Sequence, residues 1–383
     1  MNEEINIENN LTNLYPWNSS DYPVEVNSIR YNQDFSLLVL GTSKGYKIFL
    51  TSNLKPAHEE TEEVKNLGDI SIAMAYYKSS LVFCLPSKYN QNFTNNEIIL
   101  FDDFYQLKLA SIKDKSEEIL DFFLSKNVLF LITLSKIVVV ELKTFQIVDI
   151  IRNINSTNKF LSFNFVDFMA YTLLKDKKTI FVKYYQNDQH KIISSINKEI
   201  ASNFEFFQTL QLTPYGDAVG AVSIFGNKIH IYSTLDGKLK DCIFLGPTVQ
   251  TIEKIFFSEI KPNYLFVLKN NNKFYIYKLN QLKVDNPHCV CSKYDDRYIS
   301  AGSNQQEEKS TGIFGFFRKS SRNKDIKDPH AYSEFEGEIK FIDFDRNKRK
   351  DIIFINQKGE YIKYHFNKKS SGNIHPIFKI KWE

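Results

Sequence analysis

From residue 37 almost to the end of the chain, apolar residues fall in short runs rich in Ile, Val, Leu and Phe, interrupted by Gly, Ser, Asn, Asp and Lys. Such runs predict strands, because β-branched and aromatic side chains suit a pleated surface while the interrupting residues suit turns. The first pair is 37–40 and 46–50, joined by a Gly/Ser/Lys turn at 41–45. A second set comprises 70–77, 81–85 and 97–101. The most regular set follows at 119–124, 128–134, 136–142 and 145–151, with a Leu-Ser-Lys turn at 134–136. Looser runs at 160–168, 169–174, 179–185 and 191–196 make a fourth. A fifth has runs at 206–212, 218–223 and 228–233, with turns at Thr213-Pro214-Tyr215-Gly216-Asp217 and Leu235-Asp236-Gly237-Lys238. The sixth has 251–257, 264–268 and 274–279, the last two joined by three asparagines at 270–272.

From about 281 to 336 the pattern dissolves into Asn, Ser, Lys and Gln without a period, which predicts a long functional or disordered loop. Strand-like runs return at 338–344, 351–356, 360–366 and 374–382. Sets of two to four strands spaced at about 40 to 45 residues are the signature of propeller blades. The expected fold is therefore all-β, a seven-bladed β-propeller over residues 21–383. Residues 1–20 are expected to be a flexible N-terminus, and the terminal segments to share one blade. Closing the ring would leave no unpaired sheet edges.

Composition adds bounds. The 383 residues are 43% hydrophobic, with 33 Phe and 21 Tyr, enough for a large aromatic core. A net charge of +4, from 49 basic and 45 acidic residues, lacks the strongly basic balance of a nucleic-acid-binding surface, so no nucleic-acid partner is expected. Four scattered cysteines, Cys84, Cys242, Cys289 and Cys291, and a polar opening without an apolar signal core imply a reducing, cytoplasmic address. The most apolar stretch, 128–142, is interrupted by Thr133, Ser135 and Lys136 and falls short of the roughly 18 apolar residues a spanning helix needs.

Chemical motifs are sparse. No G-x-S-x-G, G-x-x-x-x-G-K or H-E-x-x-H appears, so no enzymatic activity and no cofactor are expected. Asp343, Asp345, Asn347 and Asp351 have the spacing of oxygen ligands in a calcium loop. Lys348 replaces the glycine such a loop turns on, and Arg346, Arg349 and Lys350 crowd it with positive charge, so a solvated hairpin is expected instead. His288-Cys289-Val290-Cys291 lacks the second pair that a tetrahedral zinc site requires. The acidic run at 56–66 is expected to be a solvated face, with selection of a basic partner as the alternative.

Four stretches resemble the PROPPIN family, the WIPI-type autophagy propellers. They are Asn32, Gln33, Asp34 and Ser36 with the Gly41-Thr42-Ser43-Lys44-Gly45-Tyr46-Lys47-Ile48-Phe49 hairpin; Asn96 through Asp103; 212–234 with Asp236-Gly237-Lys238-Leu239; and Gly359-Glu360-Tyr361 through Phe366. The resemblance implies a scaffold associated peripherally with autophagosomal or endosomal membranes, recruiting autophagy proteins such as a lipid-transfer partner. It also implies a lipid site after the fifth blade, where an Arg-Arg-Gly motif faces two phosphoinositide pockets. A guanidinium suits phosphate through its planar fork of donors. At those positions this chain has Phe244, Leu245 and Gly246 after Ile243, and the family's His and Ser fall on Asn203 and Glu205. His230 stands where an arginine is usual, and Ser223 keeps the expected type. Phosphoinositide recognition is thus expected to be weak or lost, the alternative being an active phosphatidylinositol 3-phosphate effector.

The family's sixth-blade loop inserts into membrane. Here it carries Ile313, Phe314, Phe316 and Phe317 beside Arg318, Lys319 and Arg322. Apolar side chains can enter the acyl boundary while each cation contributes about 1 kcal/mol at an anionic surface. The alternative is that these phenylalanines tack the loop to the side of the propeller.

Overall fold

The computed structural model describes residues 24–51, 55–59, 61–154, 160–175, 179–188, 191–202, 206–258, 263–269, 273–279, 331–334, 339–344, 351–356, 360–365, 372–373 and 376–381. Its strands form seven sheets, the β-propeller expected from the sequence. The first sheet has three strands, β1 (Val26–Tyr31), β2 (Leu37–Thr42) and β3 (Gly45–Leu50). The second holds β4 (Ile70–Ala75), β5 (Leu81–Pro86), β6 (Glu97–Asp102) and β7 (Leu107–Lys113). The third holds β8 (Ile119–Leu124), β9 (Val128–Thr133), β10 (Lys136–Glu141) and β11 (Ile147–Arg152). In the fourth are β12 (Leu161–Phe163), β13 (Phe168–Tyr171), β14 (Thr179–Asp188) and β15 (Lys191–Ser202). The fifth contains β16 (Phe207–Leu212), β17 (Ala218–Ser223), β18 (Lys228–Ser233) and β19 (Leu239–Phe244).

The sixth sheet, β20 (Ile252–Phe257), β21 (Tyr264–Lys269), β22 (Lys273–Lys278) and β23 (Ala331–Glu334), is extended by the parallel pairing of β27 (Gly372–Asn373). The seventh comprises β24 (Ile339–Phe344), β25 (Asp351–Asn356), β26 (Glu360–His365) and β28 (Pro376–Lys381). Two features depart from the sequence reading. β23 lies at the end of the stretch read as loop, paired with β22. Among the described residues no sheet combines strands from the two ends of the chain: β28 returns antiparallel to β26 and fills its own sheet's outer place.

The core is a set of layers between sheets. In β21, Phe266 and Leu268 pack toward the seventh sheet with Phe354 and Tyr364, while Leu265 and Val267 pack toward the fifth with Ile229 and Ile243. This is the two-residue period of a strand with both faces covered, which is why such strands appear as continuous apolar runs. Equivalent layers join each remaining neighbouring pair, and Ile353 closes the ring against Ile29, Leu38, Leu40 and Phe49.

The first strands of successive sheets are neighbours, β1 with β4, β4 with β8, β12 with β16 and β16 with β20, so they line the axis. Across it, Arg30 Nη2 on β1 donates to Asp121 Oδ1 and Oδ2 on β8 at 3.0 and 2.9 Å, skipping the second sheet. Beside this pair Phe35 meets Phe165 at 5.1 Å between centroids, Phe165 meets Phe123 at 4.9 Å, and Phe163 meets Phe130 at 4.9 Å. Phe35, Asp167 and Gly216 occupy matching turns with φ of 56°, 66° and 72°. Gly216 is required there, since a Cβ would come within 2.7 Å of Asn164 and Phe168.

The acidic run at 56–66 contains a single-turn helix, α1 (Glu62–Lys65). Thr61 caps it, accepting from Val64 N, and Glu62 and Glu63 occupy the first turn, where carboxylates are favoured.

Candidate functional site

The fifth sheet brings the sequence-predicted positions to one rim. Ser223 ends β17 and Phe244 ends β19, while Lys228 opens β18 and pairs with Phe244 across the sheet. Ser223 is fully buried. Its hydroxyl donates to Asn227 Oδ1 at 2.9 Å and accepts from Lys228 N at 3.3 Å, so it is engaged in holding its own turn. His230 sits one pleat further in, opposite Cys242, with its ring 6.0 Å from that of Tyr232.

Phe244 and Leu245 are half-buried, and Leu245 packs against the apolar layer shared with the sixth sheet. Leu245 N donates to Asn227 O at 2.7 Å, which pins the chain leaving β19 to the β17–β18 turn. Gly246 follows with φ of 130°, a conformation that side-chain-bearing residues rarely adopt. Two glutamines that sequence reasoning did not single out tie this rim to the next blade. Gln208 Nε2 donates to Ile224 O and, at 3.0 Å, to Gln250 O, and its Oε1 accepts from Ile252 N at 2.9 Å. Gln250 N donates to Phe225 O at 2.8 Å. Only the Gly226-Asn227 hairpin pair hinted at this geometry in the sequence.

The rim's chemistry is apolar with cations at its margin. Phe206, Ile224, Phe225 and Val249 are exposed, Val249 by 74%. Lys228 opens β18 at this end of the fifth sheet, and Lys269 and Lys273 end β21 and open β22 at the same end of the sixth sheet. Lys269 Nζ stands 4.1 Å from the Tyr275 ring centroid, and burial holds its ammonium below the usual lysine range. Of the two arginines among the described residues, Arg30 and Arg152, neither lies in the fifth or sixth sheet.

Several sequence candidates lie outside the described residues: Asn203, Glu205, Ile313, Phe314, Phe316, Phe317, Arg318, Lys319, Arg322, the His288–Cys291 cluster, Asp345 and Asn347. Of the other two calcium-loop positions, Asp343 pairs in the ladder opposite Ile353. Buried Asp351 has Lys363 Nζ 3.5 Å from its carboxylate. Among the described residues no group of three or more His, Cys, Asp or Glu is placed to hold a metal ion, and no helix is long and apolar enough to cross a membrane.

No family model and no curated sequence matches the chain. Solved structures do. Kluyveromyces lactis Hsv2 with its complete loop 6CD superimposes with a TM-score of 0.68 at 13% identity, over 94% of this chain and 99% of that one. Kluyveromyces marxianus Hsv2 gives 0.65 at 13% identity, over 94% and 99%. KlAtg21, solved in complex with the coiled coil of AgAtg16, gives 0.59 at 12% identity, over 94% and 100%. Hsv2 and Atg21 are PROPPIN propellers, the family the sequence resembles. Along nearly its whole length, the chain has the β-propeller fold of the Hsv2 and Atg21 structures.

Proposed function

We propose that the protein is a non-enzymatic PROPPIN-type scaffold that associates with autophagic or endosomal membranes and recruits protein partners there, with recognition of phosphoinositide headgroups weak or lost. One observation carries this reading: where the family's motif would aim two guanidinium groups at phosphate, Leu245 faces the core and Phe244 sits at a rim of exposed Phe206, Ile224, Phe225 and Val249. An apolar rim flanked by lysines suits the interface of an anionic bilayer, where side chains enter the acyl boundary and cations remain at the phosphates. The blade-six segment with Phe314, Phe316 and Phe317 beside Arg318, Lys319 and Arg322 has the same chemistry and supports the same reading. Partner recruitment is supported by the Atg21 structure, which was solved with an Atg16 coiled coil.

Sedimentation with vesicles of phosphatidylcholine and phosphatidylserine, with and without phosphatidylinositol 3-phosphate, tests the proposal. Binding is expected to depend on phosphatidylserine, to be unchanged by the phosphoinositide, and to fall about tenfold when Phe225 and Val249, or Phe316 and Phe317, become serine. Replacing Phe244 and Leu245 by arginine should add phosphoinositide dependence. Headgroup-dependent binding by the natural chain that survives the serine substitutions would establish the alternative, an active phosphatidylinositol 3-phosphate effector.

A further inference from the structure

Both feet of the segment that leaves the fifth sheet stand on the β17–β18 turn. Leu245 N donates to Asn227 O at 2.7 Å and Gln250 N to Phe225 O at 2.8 Å, and between these bonds Pro247, Thr248 and Val249 form an exposed arch. Turn and arch fit closely: a Cβ on Gly226, whose φ is 64°, would lie 1.8 Å from Gln250 O. Backbone bonds at a solvent-facing rim are individually weak, because water competes for the same groups.

Gln208, on the axial strand β16, supplies a further tie with a single carboxamide. Its Nε2 donates to Ile224 O in the turn and, at 3.0 Å, to Gln250 O at the foot of the arch. Its Oε1 accepts from Ile252 N, the first residue of β20, at 2.9 Å. The task needs two donors and an acceptor on one planar group, which a carboxamide offers and neither a carboxylate nor an aliphatic side chain does. Gln250 Nε2 returns to Leu245 O at 3.3 Å and closes the arch on itself. The apolar side chains exposed on these two segments are Ile224 and Phe225 on the turn and Val249 on the arch.

We propose that Gln208 is a positioning residue whose carboxamide clasps turn and arch together, so that Ile224, Phe225 and Val249 are held out as one preformed contact for the bilayer. Granted the membrane association of this rim, on which the proposal rests, a surface ordered before contact surrenders no loop freedom on binding, and more of its contact energy appears as affinity. Without the clasp, turn and arch move separately. The apolar side chains must then be brought into line at the membrane.

Amide hydrogen exchange and sedimentation with phosphatidylcholine–phosphatidylserine vesicles, both on the full chain, test this. In Gln208→Leu, which keeps the bulk and removes the clasp, protection at the Gln250 and Ile252 amides is expected to fall about tenfold while Val138 in β10 stays unchanged. Vesicle affinity should fall about fivefold, with its dependence on phosphatidylserine kept. Gln208→Glu retains the acceptor for Ile252 N but sets a carboxylate against the carbonyls of Ile224 and Gln250, so protection should fall at Gln250 and not at Ile252, again with weaker vesicle binding. General destabilisation would lower Gln250, Ile252 and Val138 together. Unchanged protection at Gln250 in both variants, a parallel loss at Val138, or lost protection with the affinity of the natural chain overturns the proposal. Replacing Phe225 and Val249 by serine separates it from the membrane reading: that variant should keep protection at both amides and lose affinity. If it binds vesicles as the natural chain does, the membrane reading itself fails, and the positioning role with it.

Discussion

The axial side of blades one to four and the rim of blades five and six deploy similar side chains to opposite ends. Along the axis a guanidinium is matched by a carboxylate, and phenylalanines meet one another edge-on or tilted. At the rim, phenylalanine, isoleucine and valine face outward, and lysines flank them. Aromatic and cationic residues that meet one another inside hold sheets together, whereas the same residues turned outward are available to a partner. The contrast teaches that residue type alone does not distinguish strut from contact surface; the partner atoms do.

The largest expected effect tests the inner side. Phe130→Ala, at a fully buried ring against Phe163 and Tyr185, should cost about 3–5 kcal/mol in denaturant unfolding, while Val249→Ala at the rim should stay within about 0.5 kcal/mol. Equal costs would dissolve the distinction. Next, Arg30→Ala leaves the Asp121 carboxylate, whose side chain is 12% exposed, without its guanidinium, and should cost about 1–3 kcal/mol. A double-mutant cycle with Asp121→Asn should recover a coupling that persists in high salt, whereas Lys228→Ala should leave stability nearly unchanged.

The smallest effect is electrostatic and has two signs. Asp114 is held far below the usual carboxylate range; burial opposes this, and the Lys136 ammonium at 2.8 Å, Ser116 and backbone amides outweigh it. Its folded value is depressed, so its contribution to stability is present above the ordinary carboxylate range and is lost as pH falls from there through the depressed folded value. Asp167 is raised by burial, despite bonds from Asn127 and Ser125, so its contribution is present in acid and lost as pH rises through its folded value. Melting temperatures between pH 3 and 7 should show a weaker acid loss for Lys136→Met, and a more stable neutral state relative to acid for Asp167→Asn.

Much of this architecture was legible in the chain because a strand covered on both faces announces itself as an apolar run. β9, β10 and β17 fall within one or two residues of their expected places. Outer strands were harder: β7 is LKLASIK, largely exposed, and carries no core period. β1, with Asn27, Ser28 and Arg30, faces the axis and looks polar. The helix α1 was hidden in an acidic run because its single apolar anchor, Val64, gives no periodicity. At the fifth-blade rim the positions of Ser223, Phe244 and Leu245 could be named from sequence, but the roles of Gln208 and Gln250 could not. Nor could the Arg30–Asp121 pair, whose members stand 91 residues apart.

Because each apolar layer is shared by two sheets, no blade owns a hydrophobic interior. Excising one would bare two greasy faces and leave the fragment with none. The ring is therefore expected to melt in one cooperative step, unlike an open array of repeats that frays from its ends.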